Sequence, residues 1–268
     1  MMFLSSFFFF CLALITQVKV EGCQPKNIFL LAGQSNMSGR GGNRNDTNNI
    51  VQWDGIIPPE CTSNPKILRL AANKTWVEAH EPLHKDIDYL KTCGIGPGMP
   101  FANAILAKKP SLGSIGLVPC AIGGTRIIEW SRGTRLYRRL VDRAKASLTC
   151  GGKIRALLWY QGESDTSLHD SKLYKVRLEK FINDLRHDLN HPNLPVIMVG
   201  ICSADQGPFI NRIRTVQLNY DDTNVKAVDA RGSTFIADQK HLDTKSEIRV
   251  GHKLAAAFLS SFVHRHAH

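Results

Sequence analysis

The 268 residues suffice for one sizeable α/β domain with its own core, and two domains would each be small. An apolar fraction of 43% against 21% charged residues excludes disorder over most of the chain. The formal charge of +11 suits an acidic polysaccharide partner more naturally than anionic lipid, or is simply a solvated basic surface; nucleic acid is the weakest candidate for a secreted chain, because basic and aromatic residues are not interleaved.

Phe3 to Ile15 is an almost unbroken apolar stretch, of signal-core length and short for a membrane span. It lacks a basic flank. Val20 and Gly22 make a cleavage site ahead of Cys23, so residues 1–22 are expected to be a signal peptide and residues 23–268 a single secreted domain. No other segment is long and apolar enough to cross a bilayer. Removing the leader leaves Cys23, Cys61, Cys93, Cys120, Cys150 and Cys202. This even set is compatible with disulfides in an extracellular protein, with Cys61–Cys93 a reasonable bridge across a loop-like insertion. Cys120 and Cys202 end apolar runs and could instead be buried thiols. No C-x-x-C spacing occurs, so structural zinc is not expected. Sequons at Asn45 and Asn73 lie in polar loops suited to glycans, whereas a glycan on Asn36 would sit beside the candidate nucleophile.

Apolar runs at 27–32, 114–119, 154–160 and 195–201, with a weaker one at 225–228, read as five strands of a parallel sheet covered on both faces. Helical periodicity separates them. The segment 171–190 places Leu178, Phe181, Ile182, Leu185 and Leu189 on one stripe, and 101–108, 134–148, 210–220 and 244–263 read similarly. His191-Pro192 and Gly151-Gly152 supply stops. The region 40–98 is loop-rich and reads as an elaboration beside the active site. The alternation predicts a doubly wound α/β fold whose ligands bind beyond the carboxyl ends of the strands.

Polar strings fall there. Gly33-Gln34-Ser35-Asn36-Met37 follows the first strand, Gly123-Gly124-Thr125 the second, and Gln161-Gly162-Glu163-Ser164-Asp165 the third. Ser35 is the candidate nucleophile, though serine at such a turn is often only a helix cap. A hydroxyl needs a base at neutral pH, and the loop Asp238-Gln239-Lys240-His241 offers both an imidazole and a carboxylate to orient it. Asp243 and Glu247 are competing carboxylates. His264, His266 and His268 read as a frayed tail rather than metal ligands. The N–H groups of Ser35 and Gly124 are candidate oxyanion donors, with the Gln161 side-chain amide as a third.

Four strings in order, G-Q-S-N-M-S-G-R-G, P-x-A-x-G-G-T-x-I-x-E-W from Pro119 to Trp130, W-Y-Q-G-E-S-D from Trp159 to Asp165 and D-x-x-H-L from Asp238 to Leu242, resemble the plant branch of the SGNH hydrolases. Specifically they resemble the sialate-O-acetylesterase-like (SASA) domain, carbohydrate esterase family 6, which includes acetylxylan esterases. The resemblance implies a flavodoxin-like three-layer α/β/α sandwich around a mostly parallel five-stranded sheet. It also implies a serine esterase that removes acetyl groups from carbohydrate, here an acetylated polysaccharide or glycoside of the cell wall. Carried over, Ser35, Asp238 and His241 form the triad and Gly124 the oxyanion glycine. Gln161 replaces the superfamily's asparagine, and Glu163 is a supporting carboxylate. Relatives often carry glycine and leucine where this chain has Gln239 and Lys240. No cofactor or metal is implied; a monomer secreted to the apoplast is expected. Trp130 and Trp159 could stack on sugar or fill the core. Competing readings are a broader lipase or esterase, an idle carbohydrate-binding protein and a serine protease.

Overall fold

The computed structural model describes residues 25, 27–149, 151–204 and 208–263. The expected leader, Cys23, Cys150 and the terminal histidines lie outside the described residues. In chain order come β1 (Asn27–Gly33), the single turn α1 (Ser35–Ser38), β2 (Asn43–Asn45), β3 (Val51–Trp53), β4 (Ile67–Leu70), β5 (Trp76–Glu78), α2 (Gly98–Lys108) and β6 (Ile115–Pro119). Then follow α3 (Arg135–Ala146), β7 (Lys153–Tyr160), α4 (Leu168–Asp188), β8 (Val196–Gly200), α5 (Ile210–Leu218), β9 (Val225–Asp229) and α6 (Thr244–Phe262).

The main sheet has seven strands in the order β5-β4-β6-β1-β7-β8-β9, all parallel except the edge pair β4–β5. The expected five strands are therefore corrected to seven. The two extra strands come from the region read as loop. Their signal is weak for a physical reason: Ile67–Leu70 is four residues long and contains Arg69. That guanidinium is accommodated by the Leu83 carbonyl at 2.6 Å and Asp86 at 2.5 Å. Strand β5 is a three-residue edge, half-buried throughout, with no clear alternation. A separate antiparallel hairpin joins β2 to β3.

Both faces of the sheet are covered. Phe29 on β1 meets Phe101 of α2 and Phe258 of α6 edge-on, with ring centroids 4.8 and 4.9 Å apart. Trp159 on β7 lies level with Ala32, three residues on from Phe29 and so on the opposite face. There it packs on Phe181 of α4, centroids 4.5 Å apart, and on Trp130 at 5.3 Å. Trp130 and Trp159 are fully buried and serve as core, so neither is available to stack on a sugar. Strand β1 and the 156–160 part of β7 are buried and largely apolar on both sides because each side meets a helical layer.

The expected Cys61–Cys93 bridge is not present. Both residues are free buried thiols, as are Cys120 and Cys202. Cys61 ends a 3₁₀ turn at Pro59–Cys61, whereas Cys93 faces the Arg40 guanidinium at 3.7 Å. Burial pushes the Cys93 and Cys202 thiols up to about 11, which keeps them protonated and unreactive. No helix among the described residues is long and apolar enough to cross a membrane.

Strands β6, β1 and β7 are neighbours at the centre of the sheet, and the three polar strings leave their carboxyl ends side by side. The fold thereby collects residues from three distant parts of the chain.

Candidate active site

Gly33 ends β1 at φ +126°, and a Cβ there would sit 2.1 Å from the Tyr160 carbonyl. Only glycine lets the backbone turn this close to β7. The next N–H, from Gln34, donates to that same carbonyl at 2.8 Å. Ser35 then opens α1, nearly buried at 6% exposure, with its hydroxyl toward the cleft beyond the sheet.

His241 reaches this serine from the loop before α6. Its Nε2 lies 2.8 Å from Ser35 Oγ, and its Nδ1 lies 2.5 Å from Asp238 Oδ2. The other Asp238 oxygen accepts the N–H groups of Lys240 and His241, both at 2.9 Å, so one carboxylate shapes the turn and orients the ring. Burial works against ionisation of Asp238, but the His241 N–H, the imidazole and the Lys240 N–H outweigh it and hold the carboxyl below its ordinary value. Neither competing carboxylate is hydrogen-bonded to the His241 ring among the described residues. Asp243 caps α6 through the Ser246 N–H at 2.8 Å and accepts the Thr234 hydroxyl, while Glu247 is buried on α6. Gln239 adopts φ +60°, the region glycine favours, which explains why a glycine suits this position and why the exposed glutamine is tolerated at a modest cost.

Asn36, read from the sequence only as an unglycosylated sequon, joins two loops. Its side-chain Oδ1 accepts the Leu242 N–H at 3.1 Å and its Nδ2 donates to Glu163 Oε1 at 2.7 Å. It is buried, which leaves no room for a glycan, whereas Asn45 and Asn73 are exposed. Glu163 lines the cleft with its second oxygen unpartnered among the described residues. Burial pushes it up to about 7, despite the Asn36 hydrogen bond and with Asp165 adding to the rise.

The Gly-Gly turn after β6 is pinned by Asp88, which the sequence offered no reason to single out. Its Oδ2 accepts the Gly123 N–H at 3.1 Å, the Ser38 hydroxyl at 2.9 Å and the Arg40 guanidinium at 2.5 Å. With Gly123 so engaged, Gly124 is left at φ +75° on the cleft wall, with open space where a side chain would be. Its N–H and that of Ser35 donate to no acceptor among the described residues.

Gln161 departs from its expected place as a donor to substrate. It is fully buried beneath the cleft, and its Nε2 donates to the Thr125 carbonyl at 2.9 Å and to Asp165 Oδ2 at 2.5 Å. Its Oε1 accepts from Tyr174 at 3.2 Å. Every arm of the amide is spent on scaffolding, which a glutamine's longer reach permits. Gln34 Oε1 in turn accepts the N–H groups of Gly162 and Ser164 at 3.3 Å, tying the first string to the third.

The resulting cleft has a volume of about 530 Å³. Among the described residues no group of three or more His, Cys, Asp or Glu is placed to hold a metal ion. Chemically, the arrangement offers a hydroxyl against an imidazole backed by an acid, in a cleft to which Ser35 and Gly124 bring backbone N–H groups without an acceptor among the described residues.

The family model described as carbohydrate esterase, sialic acid-specific acetylesterase (SASA), matches residues 25–260. A probable carbohydrate esterase of Arabidopsis thaliana is 52% identical over 241 residues, covering 89% of this chain and 92% of that protein. An Arabidopsis thaliana crystal structure is 51% identical with a TM-score of 0.86, covering 89% of this chain and 99% of that one. The structure of NanS shares the fold at 17% identity and a TM-score of 0.71, covering 89% and 98% of the two chains. The match spans the strands, the cleft loops and nearly all of the closing helix, and by that extent the chain belongs to the SASA family of carbohydrate esterases.

Proposed function

We propose that this protein is a serine esterase that hydrolyses acetyl esters on carbohydrate through an acetyl-enzyme. The observation that carries the reading is the continuous contact Ser35–His241–Asp238, whose serine and imidazole line the cleft. Ser35 Oγ attacks the acetyl carbonyl while His241 Nε2 takes its proton. The Ser35 and Gly124 N–H groups receive the developing oxyanion, each contributing roughly 3–4 kcal/mol where geometry is good. The imidazolium returns its proton to the departing sugar oxygen, and a water deprotonated by His241 releases acetate. Asp238 holds the imidazole in the tautomer that presents Nε2 to the serine.

Membership of a carbohydrate esterase family and the predominance of polar and charged residues among those lining the cleft support carbohydrate over lipid as the substrate. A lipase would need a broad apolar acyl face, and among the described residues Ile210 is the one large aliphatic side chain on the lining. The proposal includes placement in the SGNH superfamily, a secreted monomer once residues 1–22 are removed, and glycans on Asn45 and Asn73. Purified protein is expected to release acetate from acetylated polysaccharide and to turn over p-nitrophenyl acetate. Ser35→Ala should reduce both at least about 10³-fold with an unchanged circular dichroism spectrum. Undiminished turnover in that variant would remove Ser35 from the role.

A further inference from the structure

The charges on the cleft wall are unevenly distributed. Among the described residues its lining includes Arg40, Lys91 and Lys240, against a single carboxyl group, Glu163. Arg40 is neutralised at 2.5 Å by Asp88. Lys91 and Lys240 are different: both are exposed, and neither has an ion-pair partner among the described residues. They come from separate segments, Lys91 from the loop between β5 and α2 and Lys240 from the turn that carries Asp238 and His241. Glu163 offsets them only in part, because burial pushes its carboxyl up to about 7. The whole chain carries a formal charge of +11, so the surrounding field has the same sign.

Two uncompensated ammonium groups at the mouth of a hydrolytic cleft have no role in attacking an acetyl ester, which is neutral. They suit a substrate whose sugar rings bear carboxylates beside the acetylated hydroxyl. We propose that Lys91 and Lys240 select acetylated glycans carrying uronate carboxylates over neutral acetylated glycans. This specificity rests on the esterase reading above. Lysines of this kind act as point charges within about a Debye length, roughly 10 Å at 0.1 M salt, so the selection should weaken as salt rises.

The test uses one polymer in two charge states. Acetate release is followed from acetylated polygalacturonate and from the same material with its carboxylates methyl-esterified, for the wild type and for the double variant K91Q/K240Q. The wild type is expected to favour the free-acid polymer in kcat/KM by about fivefold or more at low salt, with the preference shrinking at 0.5 M sodium chloride. The double variant should lose the preference. An acetylated galacturonic acid monomer gives the third arm: preference that survives on the monomer places the recognised carboxylate on the acetylated ring, and preference confined to the polymer places it on neighbouring rings. Equal rates on charged and methyl-esterified polymer, or a preference that K91Q/K240Q retains, would overturn the assignment. Absence of acetate release from every substrate, p-nitrophenyl acetate included, would instead refute the esterase reading.

Discussion

Asp88 accepts the Gly123 N–H at 3.1 Å, and through that single contact a loop distant in sequence holds the turn that presents Gly124. The same oxygen meets buried Arg40, itself five residues beyond Ser35 in the chain, so nucleophile loop and glycine turn share one anchor. Loss of the charge in Asp88→Asn would leave a guanidinium buried without its partner.

Breaking such a pair costs about 3–5 kcal/mol. Thermal denaturation of Asp88→Asn should therefore show a midpoint lowered by roughly 6 °C or more, at about 2–4 °C per kcal/mol for a chain of this size. Turnover of p-nitrophenyl acetate measured well below that midpoint should also fall about tenfold, because the Gly123-Gly124 turn is no longer fixed. Wild-type kinetics at low temperature would show that Asp88 supports the fold and not the geometry of the cleft.

Buried carboxyls make stability depend on pH in a direction opposite to that of the surface aspartates. Burial pushes Glu81 up to about 8 from an ordinary 4.5, against hydrogen bonds from the Leu83 and Gly96 N–H groups, and buried Glu247 is raised well above its ordinary value with Glu81 contributing. Below 4.5 the Glu81 carboxyl is protonated in both folded and unfolded chains. Between 4.5 and about 8 the unfolded chain releases the proton and the folded chain retains it. Stability is therefore lost as pH rises through that window, by something on the order of a few kcal/mol. Glu81→Gln keeps a carbonyl oxygen for the Leu83 N–H without the ionisation. Urea denaturation of the two proteins at several pH values should give a clearly flatter profile for the variant, and parallel profiles would mean that Glu81 is ionised in the folded state.

Much of this architecture was legible in the sequence, and the parts that were not share a cause. Strands such as Asn27–Gly33 announce themselves because both faces are buried and the apolar run 28–32 is unbroken. The short edge strands β4 and β5 carry a charge or a half-exposed face, and so resemble loop. Ser35, Asp238 and His241 stand out in local strings, and folding brings the serine and the imidazole within 2.8 Å across 206 positions. Asp88 and the linking role of Asn36 gave no such sign, since a lone Asp in a turn-rich loop or an Asn in a sequon is ordinary until its partners are known. Gln161 misled in the other direction. Its place in a motif suggested contact with substrate, yet its contacts with Thr125, Asp165 and Tyr174 are internal. The expected Cys61–Cys93 bridge rests on an even count of cysteines and on the insertion the two flank, neither of which says where each thiol is buried.

The proposed chemistry turns on whether Ser35 is the activated nucleophile, and covalent labelling asks this directly. Wild-type protein and His241→Ala are treated with a p-nitrophenyl organophosphate, digested, and mapped by mass spectrometry. The wild type should lose esterase activity in step with a single label on Ser35, while His241→Ala should be labelled at least about 10²-fold more slowly. Inactivation accompanied by a label on any other residue, or labelling of Ser35 at the same rate without His241, would contradict the mechanism.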